Sequence, residues 1–354
     1  MNSLMEVLKA FDGLKNKTII DNIIKAWSKI NSPLYNNIGC SISGGSDSDI
    51  MLDIVTKCDK DKKVKYFWFD TGLEYQATKD HLEYLEKRYN IKIERERAVK
   101  PIPISCKENG EPFISKAVSE FMQRLQSHNF KWEDKPYNEL IKEYPKCKSA
   151  LKWWCNGKTK NDGYNTSAFD INRNKFLKEF LISNPPTFKI SNKCCNYAKK
   201  DVSKKLIKKY NLDLIIIGVR KAEGGARATA YKSCFSENTK TGADEYRPLF
   251  WYSHQDKIEY ENNQNIIHSD CYKKYGFRRT GCACCPYGHI NKGLENELKT
   301  VEIFEPKLYK AVNNIFKNSY EYTKKYYEFR AVMEAKEQIK KEELEGQMSI
   351  YDLF

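Results

Sequence analysis

Between Asn37 and Met51 the chain reads NIGCSISGGSDSDIM, and this stretch limits what the rest can become. Ile38 to Ile42 is an apolar run of strand length. It passes directly into Ser43-Gly44-Gly45-Ser46-Asp47-Ser48, and Ile50, Met51, Ile54 and Val55 then recur at helical spacing. A buried strand, a tight Gly-Gly turn and a helix start make an anion site by geometry. Glycine lets the backbone come close to an anion, and the first N–H groups of a helix have no intrahelical acceptor and point at it. Ser43, Ser46 and Ser48 add hydroxyl donors. The lysine that follows the glycines of a nucleotide-binding P-loop is absent.

Strands and helices alternate onward from this point. VKYFWF, Val64 to Phe69, reads as the next strand and ends at Asp70-Thr71-Gly72. A helix follows from about Gln76 to Arg88, and Ile91 to Ile93 begins a third strand. This order predicts an α/β, doubly wound, mostly parallel sheet with right-handed crossovers. Ligands of such sheets lie beyond the carboxyl ends of the strands, where residues 43–48 and Asp70-Thr71-Gly72 both fall. Asp70 suits a ribose hydroxyl, a metal, or an Asx turn, and these roles are compatible. Leu212 to Val219 reads as another strand, which delivers Gly218 and Arg220, and then Arg227, beside glycines. Arg220 and Arg227 suit a phosphate, a sulfate or a pyrophosphate leaving group; the alternative is a salt bridge to Glu223.

The chain divides by composition into five segments. Residues 1–34 carry two helices with apolar stripes, and residues 35–100 hold the first α/β half. Residues 101–192 read as a helical insertion, in which Trp153 and Trp154 sit among lysines. They either stack on bases or belong to the core, and the core reading is the stronger. Residues 193–300 form the second α/β half, and residues 301–354 a charged helix, with Pro306 at its start and Gly346 at its end, followed by a tail peptide. The net charge of +14 admits DNA or RNA as a partner, although a lysine-rich proteome gives the same excess. No apolar run approaches 18 residues and no export signal is visible, so a cytoplasmic chain without membrane contact is expected.

Twelve cysteines then imply reduced thiols with a metal or redox role rather than disulfides. Cys194 and Cys195 are adjacent, and Cys282, Cys284, Cys285 and Pro286 follow about ninety residues on. Grouped thiols of this kind bind an iron–sulfur cluster or, as the alternative, zinc. Cys284 is the extra thiol, either a ligand in another arrangement or a sulfur carrier.

SGGSDS at 43–48 resembles the PP-loop motif of ATP pyrophosphatases and sulfonucleotide reductases. With WFDTGLEY at 68–75, CCNYAKK at 194–200, GVRKAEGGAR at 218–227 and YKKYGFRRTGCACCP at 272–286, the chain resembles the phosphoadenosine phosphosulfate reductase family. The resemblance implies an adenine-nucleotide α-hydrolase-like sheet. It also places nucleotide contacts at Ser43, Gly44, Gly45, Ser46, Asp47, Ser48, Asp70, Thr71, Gly72, Gly218 and Arg220. The paired cysteines are similar to the iron–sulfur branch, which includes adenylylsulfate reductases and the DNA phosphorothioation ATPase. That branch implies a 4Fe–4S cluster on Cys194, Cys195, Cys282 and Cys285. Gly224 stands where the family's Arg-x-x-Glu-Ser pattern has serine, and the cysteine of the reductases' Glu-Cys-Gly-(Ile/Leu)-His tail has no counterpart after Cys285.

The expectation is therefore an ATP- and Mg²⁺-using enzyme that adenylylates a substrate and transfers sulfur to it. Asp47, Arg220, Arg227 and Cys284 are its catalytic candidates, and a cysteine desulfurase is the kind of sulfur donor implied. Sulfonucleotide reduction and a nucleotide-binding accessory module are the alternatives. Gln347 to Tyr351 also resembles the peptide that replication proteins insert into the bacterial sliding clamp.

Overall fold

The computed structural model describes residues 2–155, 170–224, 230–237, 242–288 and 293–351, with side chains described from 4 to 344 within these ranges. The chain forms two compact units. The first comprises Met1–Pro103, Cys195–Ala283 and Glu297–Tyr309; the second comprises Ile104–Cys194, Cys284–Asn296 and Lys310–Phe354.

The first unit is built on a six-stranded sheet. Its strands are β1 (Ile38–Ile42), β2 (Val64–Asp70), β3 (Ile93–Arg97), β4 (Leu214–Ile217), β5 (Phe235–Ser236) and β6 (Asp244–Tyr246), in the spatial order β3-β2-β1-β4-β6-β5. All pairings are parallel except β5 with β6. Ile38 stands opposite Val64 on one side and Leu214 on the other. The strand order therefore reverses between β1 and β4, the switch point beyond whose carboxyl ends ligands of such sheets bind. The α/β, doubly wound, mostly parallel sheet expected from the sequence is the sheet of this unit.

Both faces of the sheet are covered at its centre, which is why the central strands β1 and β4 are largely apolar, while the edge strand β3 alternates. Cys40, Ile42, Tyr66, Trp68, Leu214 and Ile216 face a core shared with Ile50, Met51, Ile54 and Val55 of the helix Ser46–Cys58. Ile19, Ile23, Ala26 and Ile30 of the helix Lys17–Ile30 close that side. Phe67 turns to the opposite face, against Val202, Leu206 and Leu212. Gly39 on β1 lies under this face, where a Cβ would stand 2.7 Å from Leu212 Cδ1 and 3.3 Å from Phe67, so any side chain there forces Leu212 to move.

The second unit is helical and has its own core. Trp153 and Trp154 are both buried in it, with Phe113, Phe130, Leu151, Phe180 and Leu181. The core reading of these tryptophans holds, and they are not a stacking surface for bases. The stretch from 301 onward, expected to hold one helix, holds the end of Gly293–Phe304, then Pro306–Ile315 and Lys317–Tyr351, of which residues 297–309 belong to the first unit and residues from 310 to the second. The last runs through Gly346, where the sequence reading ends it; a glycine in a helix interior costs roughly 1 kcal/mol and does not by itself stop the helix. Tyr322 and Tyr326 of this helix pack on Phe180, with ring centroids 5.0 and 5.4 Å away. The side chains of Gln347 to Tyr351 lie outside the described residues. Among the described residues no helix is long and apolar enough to cross a membrane.

Candidate functional site

The loop 43–48 lies at the carboxyl end of β1, beside the end of β4, and its conformation follows from its residues. Gly44 adopts φ +69°, and a Cβ there would come within 2.9 Å of Thr78. Gly45 caps the helix in extended conformation, with Thr280 Oγ1 3.0 Å from where a Cβ would stand. The Ser43 N–H donates to Ser48 Oγ at 2.9 Å, the Gly45 N–H to Ser43 Oγ at 3.3 Å, and the Ser46 N–H to the Tyr272 hydroxyl at 3.0 Å. Gly218 follows β4 beside the loop, where a Cβ would stand in ordinary contact, 3.4 Å from the Asp47 carbonyl oxygen. The helix N-terminus thus carries a cradle of hydroxyls and N–H groups.

Asp47 is bound from two sides. Arg220 Nε and Lys257 Nζ each lie 2.9 Å from its Oδ1, and Lys257 also donates to Ser46 Oγ. Burial works to raise the Asp47 carboxyl, but Lys257 and Arg220 outweigh it and hold the group below the usual carboxylate range. Arg220 is nearly buried and also donates to the Ser253 carbonyl at 3.3 Å. Glu223 accepts the Arg220 backbone N–H at 3.4 Å, so the guanidinium pairs with Asp47 where a salt bridge to Glu223 was the sequence alternative.

Lys257, Tyr272, Glu261 and His268 are the site residues that the sequence did not single out. Lys257 sits on the helix His254–Asn263, whose start is fixed by a capping box between Ser253 and Asp256. Tyr260, one turn further, donates to buried Asp53 at 2.6 Å and ties this helix to the loop helix. The signal available was Ser-x-x-Asp before a helix, which locates the helix and says nothing of its target.

Asp70, Thr71 and Gly72 follow β2. The Gly72 N–H donates to Asp70 Oδ1 at 2.9 Å, which is the Asx turn. Thr71 is buried, and its hydroxyl donates to Glu74 at 2.5 Å. Burial pushes Glu74 up to about 7, against the lowering effect of that hydrogen bond and of Lys199. Cys282 lies in the same place: burial raises its thiol, Lys199 opposes this, and Glu74 and Cys195 add to it. Cys282 therefore shares its surroundings in the first unit with Cys195 and Glu74, and Lys199 is the cation that acts on it. Cys194, Cys284 and Cys285 belong to the second unit. Cys284 is fully buried with φ +45°, and its carbonyl accepts the Tyr320 hydroxyl at 2.6 Å. Among the described residues no three His, Cys, Asp or Glu side chains stand as a metal site. Arg227 lies outside the described residues.

A serine-glycine loop between a central parallel strand and its helix, at the switch point of a 3-2-1-4 sheet, defines a PP-loop α/β protein. The sequence model of the phosphoadenosine phosphosulfate reductase domain matches residues 37–164 and 165–287, and the chain belongs to that family. The uncharacterized protein MJ0066 of Methanocaldococcus jannaschii is 25% identical over 334 residues, which is 90% of this chain and 50% of that protein. The chain thus spans about half the length of this curated relative. The phosphoadenylyl-sulfate reductase of Candida auris, in a phosphate complex, is similar with a TM-score of 0.39 at 10% identity, covering 78% of this chain and 93% of that one. The FMN adenylyltransferase of Candida glabrata gives 0.41 at 10%, covering 79% and 68%. The U34-tRNA thiolase NcsA of Methanococcus maripaludis, with its 4Fe–4S cluster, gives 0.37 at 13%, covering 86% and 80%. At these scores the three structures assign this chain neither a substrate nor a reaction.

Proposed function

We propose that this chain is an ATP-using PP-loop enzyme that adenylylates a substrate and then transfers sulfur to it. The observation that carries the reading is the corner between β1 and the helix Ser46–Cys58, where loop hydroxyls and helix N–H groups meet two cations, Arg220 and Lys257, at the switch point of the sheet. A triphosphate on this corner finds donors from Ser43 to Ser48, with Gly218 leaving room beside it. Asp47 holds the two cations in place between turnovers. Asp70, Thr71 and Gly72, at the end of β2, are proposed for the nucleoside end, and Arg227 for a second phosphate contact on its sequence position.

A substrate oxygen attacks the α-phosphorus, the bond from that phosphorus to the bridging oxygen breaks, and pyrophosphate leaves with the electron pair. Sulfur at the oxidation level of sulfide then forms a carbon–sulfur bond as the carbon–oxygen bond breaks, and AMP departs. Arg220 and Lys257 favour the first step because negative charge accumulates on the leaving group. Mg²⁺, when bound, supplies further neutralisation through the phosphate oxygens; Asp47 is engaged by its two cations, so the nucleotide provides most of its ligands. Cys194, Cys195, Cys282 and Cys285 are proposed as ligands of a 4Fe–4S cluster, with zinc as the alternative; the Cys195–Cys282 pair beside Lys199 fits half of such a thiolate set. Cys284 is the proposed sulfur carrier, a role that requires local opening of its buried side chain. A persulfide there attacks the activated carbon as AMP leaves, and an added thiol reductant cleaves the resulting disulfide to leave the product thiol and a mixed disulfide.

The net charge of +14 supports DNA or RNA as the acceptor. A cysteine desulfurase is the proposed source of sulfur, and the clamp reading of Gln347 to Tyr351 rests on sequence alone. Sulfonucleotide reduction is the second reading, favoured by the family match. The test incubates anaerobically prepared protein with ATP, nucleic acid and a sulfide source, alongside adenylylsulfate in a parallel arm. Pyrophosphate release that disappears in Gly45→Val supports the first reading. Sulfite release from the sulfonucleotide supports the second, and tight nucleotide binding with neither product indicates an accessory module.

A further inference from the structure

Beneath the loop runs a buried chain of charged groups that the proposed reaction does not use. His268, in the segment after the helix His254–Asn263, has Nδ1 2.8 Å from Asp49 Oδ2 and Nε2 2.9 Å from Glu261 Oε1. Asp49 is 1% exposed, on the first turn of the loop helix, and its other oxygen lies 3.0 Å from His81 Nε2. Glu261 lies 3.6 Å from Lys257 Nζ, the same ammonium that holds Ser46 and Asp47. A path of direct contacts therefore runs from His268 both to the backbone of the loop helix and to the cation at its phosphate end.

The chemistry of this arrangement fixes a protonation state. A neutral imidazole has one N–H and one lone pair, whereas both nitrogens of His268 face carboxylates, which only accept. Two carboxylate acceptors require two N–H donors, so His268 stands as an imidazolium. The Tyr272 ring, 5.7 Å away, is the neighbour on its own segment, and its hydroxyl accepts the Ser46 N–H. The charged and titratable groups around His268 are thus Asp49 on the loop helix, His81 on the helix Gln76–Tyr89 behind it, and Glu261 and Lys257 on the facing helix. Asp49 and Glu261 together outweigh the effect of burial and push His268 up to about 9.

We propose that His268 is a positioning residue for nucleotide binding: as an imidazolium it clamps Asp49 and Glu261, and through Glu261 it holds Lys257 against the phosphate loop. This rests on the nucleotide reading of the loop and adds a charge state to it. With the folded value above the ordinary 6.5 of histidine, the clamp is complete at neutral pH and is lost as the pH rises through about 9. Deprotonation leaves one carboxylate facing a lone pair and loosens Glu261, so Lys257 keeps Asp47 and Ser46 but loses its third fixed neighbour.

The test measures the dissociation constant of α,β-methylene-ATP by calorimetry across this pH range, with wild-type protein, His268→Gln, and the double variant His268→Gln with Glu261→Gln. Wild-type affinity is expected to weaken about tenfold as the pH passes 9. His268→Gln is expected to be weakened by a similar factor already at neutral pH and to show no such step. The double variant also removes the Glu261 carboxylate that links His268 to Lys257, so it is expected to bind no more tightly than His268→Gln and to stay flat with pH; wild-type affinity in it overturns the proposal. A wild-type profile without the step, or the same step retained in His268→Gln, overturns the proposal. Nitrogen NMR of the wild-type histidines gives a reading that needs no variant: His268 must carry both protons at neutral pH, and a neutral ring there overturns the proposal too. Absence of nucleotide binding at every pH refutes the nucleotide reading, while the NMR titration still reports on the clamp.

Discussion

Replacing Asp47 with Asn tests the ion cluster at the loop directly. The carboxylate is 15% exposed and carries two 2.9 Å pairs, to Arg220, which is 6% exposed, and to Lys257, which is 12% exposed. The amide keeps the shape and removes the charge, so two nearly buried cations lose their common partner. Breaking a buried pair from one side costs about 3–5 kcal/mol, and the residual exposure here argues for the lower end, about 3 kcal/mol. The first unit has about 200 residues, a size at which 1 kcal/mol moves Tm by roughly 2–4 °C, so Tm should fall by about 6–12 °C. Differential scanning calorimetry at neutral pH and low salt measures it. Because the folded Asp47 titrates below its ordinary 3.8, its contribution is present above that pH and lost as the pH falls through the lower folded value. The gap between the two proteins should therefore persist down to about pH 4 and close only in stronger acid. A variant that melts within 2 °C of wild type at neutral pH, a span set by roughly 1 kcal/mol or less, would refute the reasoning.

Three further substitutions probe the second unit. Trp154→Ala removes a fully buried side chain and should destabilise that unit by about 3–5 kcal/mol, read by urea unfolding, while ATP affinity stays unchanged. Gly110 has φ +108° and its Cβ would lie 2.3 Å from the Lys189 carbonyl oxygen, so Gly110→Ala should cost at least about 1–3 kcal/mol from backbone strain, seen as a lower urea midpoint. Glu111 accepts from Asn318 Nδ2 and the Ser319 N–H, both at 2.7 Å, at the start of the helix Lys317–Tyr351; Glu111→Ala should lower stability by about 1–2 kcal/mol and increase amide exchange in that first turn.

The loop and the first three strands were legible because their signals are local. SGGSDS, VKYFWF and the apolar spacing after Ile50 each lie within one or two elements, and periodicity reads such windows well. The facing helix was not legible as part of the site. Lys257 meets Ser46 across 211 positions and Tyr272 meets it across 226, and no short motif marks a lysine for a partner that distant. Strands β5 and β6 have two and three residues, too few to show alternation. The long C-terminal helix misled for a different reason. Its charge describes the exposed face, while Tyr322, Tyr326 and Phe329, spaced four and three apart, form the buried stripe that binds it to Phe180. That stripe was present in the sequence and was outweighed by the surrounding lysines and glutamates.

The sheet order has a consequence for synthesis. β1, β2 and β3 leave the ribosome together, but β4, the second neighbour of β1, begins at Leu214, more than a hundred residues after β3 ends at Arg97. At roughly 5–20 residues per second this interval lasts about 6–23 seconds. During it the strand carrying Ile38, Cys40 and Ile42 has one edge of unpaired N–H and C=O groups, the kind of edge that recruits other chains. The emerging helical residues 104–194 can bury Trp153 and Trp154 among themselves in this time, but the nascent sheet stays open along β1 until Leu214 to Ile217 arrive to pair with it.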